Sequence, residues 1–129
     1  MSAQPLITAL AAAVESRGVT FGDARKPKAA TTRYIVAWFD GGVVTDRSLR
    51  SRDGLSVTGT FHCYGQSPEA ARFADRMLTE AVLSLHRSTV DGRTVQMPEQ
   101  LTSLPLQRDD DLSPALFDVV SEWRFVTTP

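Results

Sequence analysis

The sequence predicts one domain, residues 1–129, of the α+β class. Its 129 residues are enough for a single domain to bury most of its apolar surface. Two stretches repeat apolar residues at helical spacing, and three others have the alternation or the β-branched and aromatic content of strands. A composition of 42% apolar and 22% charged residues is typical of a globular protein.

The first predicted element is a short helix over residues 4–17. Apolar residues from Leu6 to Val14 fall on one face of this helix, and Gly18 ends it. No Lys or Arg precedes the apolar run, so a signal peptide is not expected, and no run approaches membrane-spanning length. Residues 22–32 contain Gly, Pro and small polar residues without periodicity and predict a loop.

The next element is a strand over residues 33–39, RYIVAWF, which we expect to be covered on both faces. Asp40 and two glycines end it, and a segment of alternating charge, TDRSLRSRDG, follows from Thr45 to Gly54.

A second strand over residues 55–64 decides the role of Cys63, the single cysteine of the chain. Leu55, Val57 and Phe61 share one face with Cys63, whereas His62 and Tyr64 point the other way. Although a thiol beside an imidazole and near a helix N-terminus has the ingredients of a catalytic nucleophile, this alternation predicts a buried, structural thiol.

The helix that follows is the best-specified element. Ser67 suits the N-cap, Pro68 the first position and Glu69 the first turn, and a broad apolar stripe continues to about Arg87. Beyond it the sequence predicts a small hairpin over residues 89–95, an extended connection over 97–115, and a closing strand over 117–125 with its odd-numbered residues inward.

Several functional classes find no support in this sequence. It contains no phosphate-binding loop, dinucleotide fingerprint, nucleophile elbow or Cys/His cluster of zinc spacing, so we expect no enzyme activity, no cofactor and no metal. A single cysteine indicates no internal disulfide, and a net charge of −1 argues against a general nucleic-acid binder. Residues 1–66 carry a net charge of +3 and residues 67–129 a net charge of −4, which suits contacts between copies.

The order of these elements resembles a known family. A short helix, RYIVAWFDGG, TDRSL, the strand VTGTFHCYG and the helix QSPEAARFADRMLTEAVLSL are similar to the tail terminator (tail completion) proteins of long-tailed bacteriophages, especially those of actinobacterial hosts. The resemblance covers about residues 4–95, and beyond them only the final strand matches. Head–tail joining proteins of neighbouring function are similar to this family.

The resemblance implies an antiparallel sheet of about four strands with two helices packed on one face. It also implies a homohexameric ring that caps the tail tube, ends tube polymerisation and forms the joint to the head connector. The partners would be further copies of the chain, the tail tube protein and the head–tail connector proteins. DNA would pass through the lumen without specific binding, and the subunit would be made in the host cytoplasm and reside in the neck of the virion, with no membrane contact.

Two sets of charged residues are candidates for contacts in such a ring. We expect the segment from Asp40 to Gly54 to lie between subunits or against the tube, with Asp40, Asp46, Arg47, Arg50, Arg52 and Asp53 as its charged residues, although a solvated hairpin has the same pattern. Asp109, Asp110 and Asp111 are the candidates for the lumen, where their charge would repel DNA, although a solvated acidic loop explains them equally.

A different class of function is the alternative. A small α+β enzyme or ligand-binding domain would hold a pocket between the sheet and the helices, lined by Tyr34, Trp38, His62 and Tyr64. His62 and Tyr64 share a strand face and would bring a base and a hydroxyl together.

Overall fold

The computed structural model describes residues 2–27, 33–44, 54–110 and 115–128. Within them the chain forms two helices and nine strands, in the order α1 (Gln4–Glu15), β1 (Thr20–Asp23), β2 (Arg33–Phe39), β3 (Val43–Val44), β4 (Leu55–Gly65), α2 (Pro68–Ser84), β5 (Thr89–Val90), β6 (Arg93–Val95), β7 (Glu99–Ser103), β8 (Gln107–Asp109) and β9 (Leu116–Thr128).

All nine strands belong to one mixed sheet. Its main order is β1-β2-β4-β9-β6-β5, with β3 paired to β4 and both β7 and β8 paired to β9. The pair β1–β2 is parallel, and the other pairs are antiparallel. One edge of the sheet is therefore formed by β1 and β3. The opposite edge, beyond β9, is formed by the short strands β5, β7 and β8.

The two longest strands, β4 and β9, form the centre of the sheet. They pair without interruption from Leu55 opposite Thr127 to Gly65 opposite Phe117. Because β9 is 13 residues long, its second edge accommodates β6, β7 and β8 one after another. This edge is built from short pieces, since Pro98 and Pro105 interrupt the chain that runs along it.

Both helices pack on one face of this sheet, and the hydrophobic core lies between the sheet and the helices. The odd-numbered residues of β4 and β9 point to the helices, so Val57, Phe61 and Phe125 are fully buried. The rings of Phe39 and Phe125 pack edge-on against Phe61, with centroids 5.5 and 6.4 Å away. We call the opposite side of the sheet, which the even-numbered residues of β4 and β9 face, the open face.

The turn between β4 and α2 brings strand and helix into close contact. The Ser67 hydroxyl accepts a hydrogen bond from the Ala70 N–H at 3.1 Å, which confirms the predicted N-cap. A Cβ atom on Gly65 would lie 2.4 Å from the backbone nitrogen of Ala71. Only glycine therefore allows the first turn of α2 to approach the end of β4 this closely.

The α+β class and the two helices on one face are confirmed, but a four-stranded antiparallel sheet is wrong. Thr20–Asp23 forms a strand parallel to β2, and its last two residues, Gly22 and Asp23, lie within residues 22–32, which were expected to be a loop. Two further strands, β7 and β8, lie in the expected connection over residues 97–115. Helix α2 ends at Ser84, ahead of Arg87, which adopts a φ of 65°.

Candidate functional site

The expected contact segment begins at Asp40, in the short connection between β2 and β3. The Asp40 carboxylate accepts hydrogen bonds from the N–H groups of Gly42 and Thr58, at 3.0 and 3.2 Å. The Asp40 N–H donates to the Thr58 carbonyl at 3.0 Å, and Gly42 takes a φ of 89°. Asp40 therefore holds the connection between β2 and β3 against β4 by hydrogen bonds. The other charged residues of this segment, Asp46, Arg47, Arg50, Arg52 and Asp53, lie outside the described residues.

The expected acidic lumen residues lie at the end of β8. Asp109 closes β8 opposite Leu116, and Asp110 follows in the turn. Asp110 forms an ion pair with Arg108, and both side chains are largely exposed, so this pair contributes little to stability. Asp111 lies outside the described residues.

The residues of the alternative site are brought onto one face of the sheet, but not into a pocket between sheet and helices. Tyr34 and Trp38 of β2 and His62 and Tyr64 of β4 all lie on the open face, because each is one residue away from a core position in its strand. A pocket of these residues against the helices is therefore wrong. Tyr34 stacks on Tyr64 with centroids 5.1 Å apart, and Trp38 is 53% exposed.

One residue that the sequence did not single out completes this group, which we call the open-face cluster: Tyr34, His62, Tyr64 and Asp118. His62 Nδ1 lies 3.1 Å from Asp118 Oδ2, within hydrogen-bonding distance. Asp118 Oδ1 is buried and has no hydrogen-bond partner among the described residues. The contact was missed because β4 and β9 are far apart in the chain and only their pairing brings His62 and Asp118 together.

Burial and a nearby negative charge raise the pKa values of both tyrosines in the open-face cluster. Burial, with the negative charge of Asp118 as the next cause, raises the pKa of Tyr64 to about 12. The same two causes raise the pKa of Tyr34. Both phenols keep their protons at neutral pH, and Tyr34 is only 5% exposed.

Cys63 is fully buried on the opposite face of β4 from His62, which confirms the prediction from strand alternation. Burial raises the pKa of its thiol well above the ordinary value, and the charges of Asp75 and Asp118 add to this effect. The thiolate form is therefore disfavoured, and His62 is directed away from the sulfur.

The described residues contain no group of three or more His, Cys, Asp or Glu side chains arranged to hold a metal ion. None of the helices in this part of the chain combines the length and the apolar character that crossing a membrane requires.

Exposed apolar side chains form two further surfaces on the sheet. Trp38, Val43 and Val44 are exposed along β2 and β3, and we call this surface the β3 edge. Met97, Leu101 and Leu104 are exposed in and around β7, and we call this surface the β7 edge. The sequence offered one signal for the β7 edge, namely three large apolar residues within a stretch that was expected to be a simple connection.

Comparisons with known proteins identify the fold. No protein-family model matches this sequence, and no curated protein matches it. Among solved structures, the chain is similar to one from the virion of a native gene transfer agent (GTA) particle, with a TM-score of 0.60 and 15% sequence identity. The match covers 95% of this chain and 97% of that chain. At this identity the similarity shows a common fold, which extends over nearly the whole length of both chains.

Proposed function

We propose that this protein is a structural component of a phage-like virion that forms a ring at the end of the tail tube. The ring ends tube polymerisation and presents a surface to the head connector. The observation that carries the proposal is the fold shared, from end to end, with a chain of a gene transfer agent virion. The order of elements in the sequence, which resembles tail terminator proteins, supports the same assignment.

The character of the surface supports a role in assembly. The open-face cluster places a partly exposed His–Asp pair beside Tyr64 on one face of the sheet, which suits contact with another protein. The buried Cys63 thiol is withdrawn from chemistry. The finer assignments follow from the proposal: the Asp40–Gly54 segment contacts a neighbouring subunit or the tube, and Asp109, Asp110 and Asp111 line the lumen that DNA passes.

The proposal is tested by assembly rather than by activity. Purified protein is expected to form rings of uniform stoichiometry in native mass spectrometry and negative-stain images, and to stop the polymerisation of the tail tube protein of the same phage. Reversing Arg47, Arg50 and Arg52 to Glu is expected to weaken the ring or its docking, because charges at an interface govern association more than folding.

Circular dichroism of the triple variant reports whether the subunit still folds. Wild-type assembly and docking of this variant over a range of salt concentrations would remove the segment from the functional surface. A wild-type protein that stays monomeric and leaves tube polymerisation unaffected would contradict the proposed function.

A further inference from the structure

The exposed apolar side chains of this protein are concentrated at two places on the sheet. Seven large apolar side chains are exposed in the described part of the chain, and six of them belong to the β3 edge or the β7 edge. The seventh, Leu83, lies on α2. Scattered exposed apolar residues are ordinary, but two compact sets at opposite borders of one sheet indicate contact surfaces.

Both surfaces include strand edges whose outer backbone groups have no strand partner in the part of the chain that the structure describes. Among the described residues, β3 pairs only with β4, and β7 pairs only with β9. Such edges are templates for a further strand, and proteins that keep them free usually protect them with Lys or Pro. Pro98 and Pro105 flank β7 and limit its free edge to a short stretch, while β3 consists of two exposed valines.

The two surfaces overlap in position along the strand direction, although β3 itself is level with the residues just before β7. The register runs from Trp38 through Thr60 and Glu122 to Thr102, so Trp38 is level with β7 beside Leu101. In the same way Val43 pairs with Ser56, Ser56 with Val126, and the Gln96 N–H donates to the Val126 carbonyl. Val43 is therefore level with Gln96, next to Met97.

The directions of the two edges also match. Strand β3 is antiparallel to β4, β4 to β9, and β9 to β7, so β3 and β7 run in opposite directions. Two copies placed side by side in the same orientation would bring Trp38, near the end of β2, beside β7 of the next copy, and β3 beside Gln96 and Met97, which lead into β7. The facing segments would run antiparallel. This is the more common kind of strand pairing.

The acidic groups described beside the two edges do not oppose this contact. The Asp40 carboxylate beside β3 accepts two backbone hydrogen bonds, and Glu99 on β7 is paired with Arg124. Asp40 and Glu99 therefore already have partners within their own subunit, so the contact would bury neither carboxylate without a partner.

We infer that the β3 edge of one copy binds the β7 edge of the next copy, in a head-to-tail contact that extends the sheet from subunit to subunit. This inference rests on the proposed ring and names the surfaces that close it. A second copy is the occupant because the two surfaces overlap along the strand direction, run in opposite directions and are both apolar. They also lie at opposite edges of one sheet, so each copy can contact two neighbours. Such a heterologous contact generates a closed ring when it repeats by rotation.

Lysine substitutions at each edge test the contact. Val43→Lys and Leu101→Lys each place a charge on one edge, and Leu83→Lys is the matched control on α2. Each edge variant alone is expected to lose the ring, with association weakened by about tenfold or more, since a charge on an edge strand opposes pairing. Leu83→Lys is expected to keep the ring. Sedimentation and native mass spectrometry measure the oligomers, and circular dichroism checks the fold.

An equal mixture of the two edge variants gives the decisive result. Each variant keeps the edge that the other has lost, so the mixture is expected to form a one-to-one heterodimer and no larger ring. A mixture that stays monomeric, a homodimer of either variant, or loss of the ring in Leu83→Lys would overturn the inference.

The test also separates this inference from the proposed function. Rings that persist in both edge variants would overturn the inference while leaving the proposed function in place, whereas a wild-type protein that never forms a ring would overturn both. Val44→Lys and Leu104→Lys, on the same two edges, replace either variant that circular dichroism shows to be unfolded.

Discussion

At the scale of single residues, Asp75 is a carboxylate that α2 holds in an unfavourable, partly buried position. The helical pattern predicts an outward position for it, but the residue is only partly exposed and its Oδ1 atom is buried without a hydrogen-bond partner among the described residues. Burial raises the pKa of this carboxyl above its ordinary value of 3.8. The native state therefore binds the proton more tightly than the unfolded chain does.

It follows that Asp75→Asn should stabilise the protein at neutral pH. Below its ordinary pKa the wild-type carboxyl is protonated in both the folded and the unfolded state, so it does not lower the free energy of unfolding. As the pH rises through the raised pKa of the folded state, the partly buried carboxyl becomes charged and lowers the stability of the protein. We expect a gain of up to about 1 kcal/mol at pH 7, limited by partial exposure, that shrinks towards zero near pH 3. Urea unfolding at both pH values measures it, with exposed Glu80→Gln on the same helix as control. An equal gain at both pH values would rule out this cause.

At the scale of elements, the junction of β4 and α2 sets the distance between sheet and helix. A side chain at Gly65 would meet the backbone of α2 at Ala70 and Ala71, and a backbone cannot move aside as a flexible side chain does. The junction thus fixes where the apolar stripe of α2 meets the core residues of β4.

Gly65→Ala should accordingly be costly. We expect a loss of about 2–3 kcal/mol in the free energy of unfolding, as for other insertions into tightly packed sites. Gly41→Ala is the matched control, because a Cβ atom there meets nothing within 4 Å, and its effect should stay within about 0.5 kcal/mol. Equal urea midpoints for the two variants would show that α2 does not depend on this close approach.

At the scale of the whole molecule, the acidic residues at the end of β8 would act only within the proposed ring. Replacing Asp109, Asp110 and Asp111 by Asn should leave the ring intact and increase its retention of double-stranded DNA at low salt, because repulsion of the phosphate backbone is removed. Native mass spectrometry and fluorescence anisotropy measure the two effects.

A control with the same change in net charge separates position from charge. Glu15→Gln, Glu80→Gln and Asp91→Asn change three exposed carboxylates on other elements. This variant should bind DNA as weakly as the wild type does. Loss of the ring in the Asn variant of residues 109–111 would place those residues at a subunit contact and remove them from the lumen.

The sequence predicted what depends on local pattern and missed what depends on pairing between distant segments. Alternation alone placed Cys63 in the core and His62 on the opposite face, and capping residues located the start of α2. Strands β1, β7 and β8 are too short and too rich in polar residues to show a period. They form because β2 and β9 offer them an edge. The His62–Asp118 contact was missed for the same reason.

The central position of β9 has a consequence for the order of events in folding. This strand comes after all other described elements in chain order, yet it lies between β4 and the strands β6, β7 and β8. While the ribosome is still making β9, β4 lacks its main neighbour and β7 has no strand to pair with. Such long-range pairing is slow and leaves apolar surface exposed for milliseconds to seconds. A nascent subunit therefore lacks the β7 edge until β9 emerges, so incomplete chains would be kept out of the proposed ring.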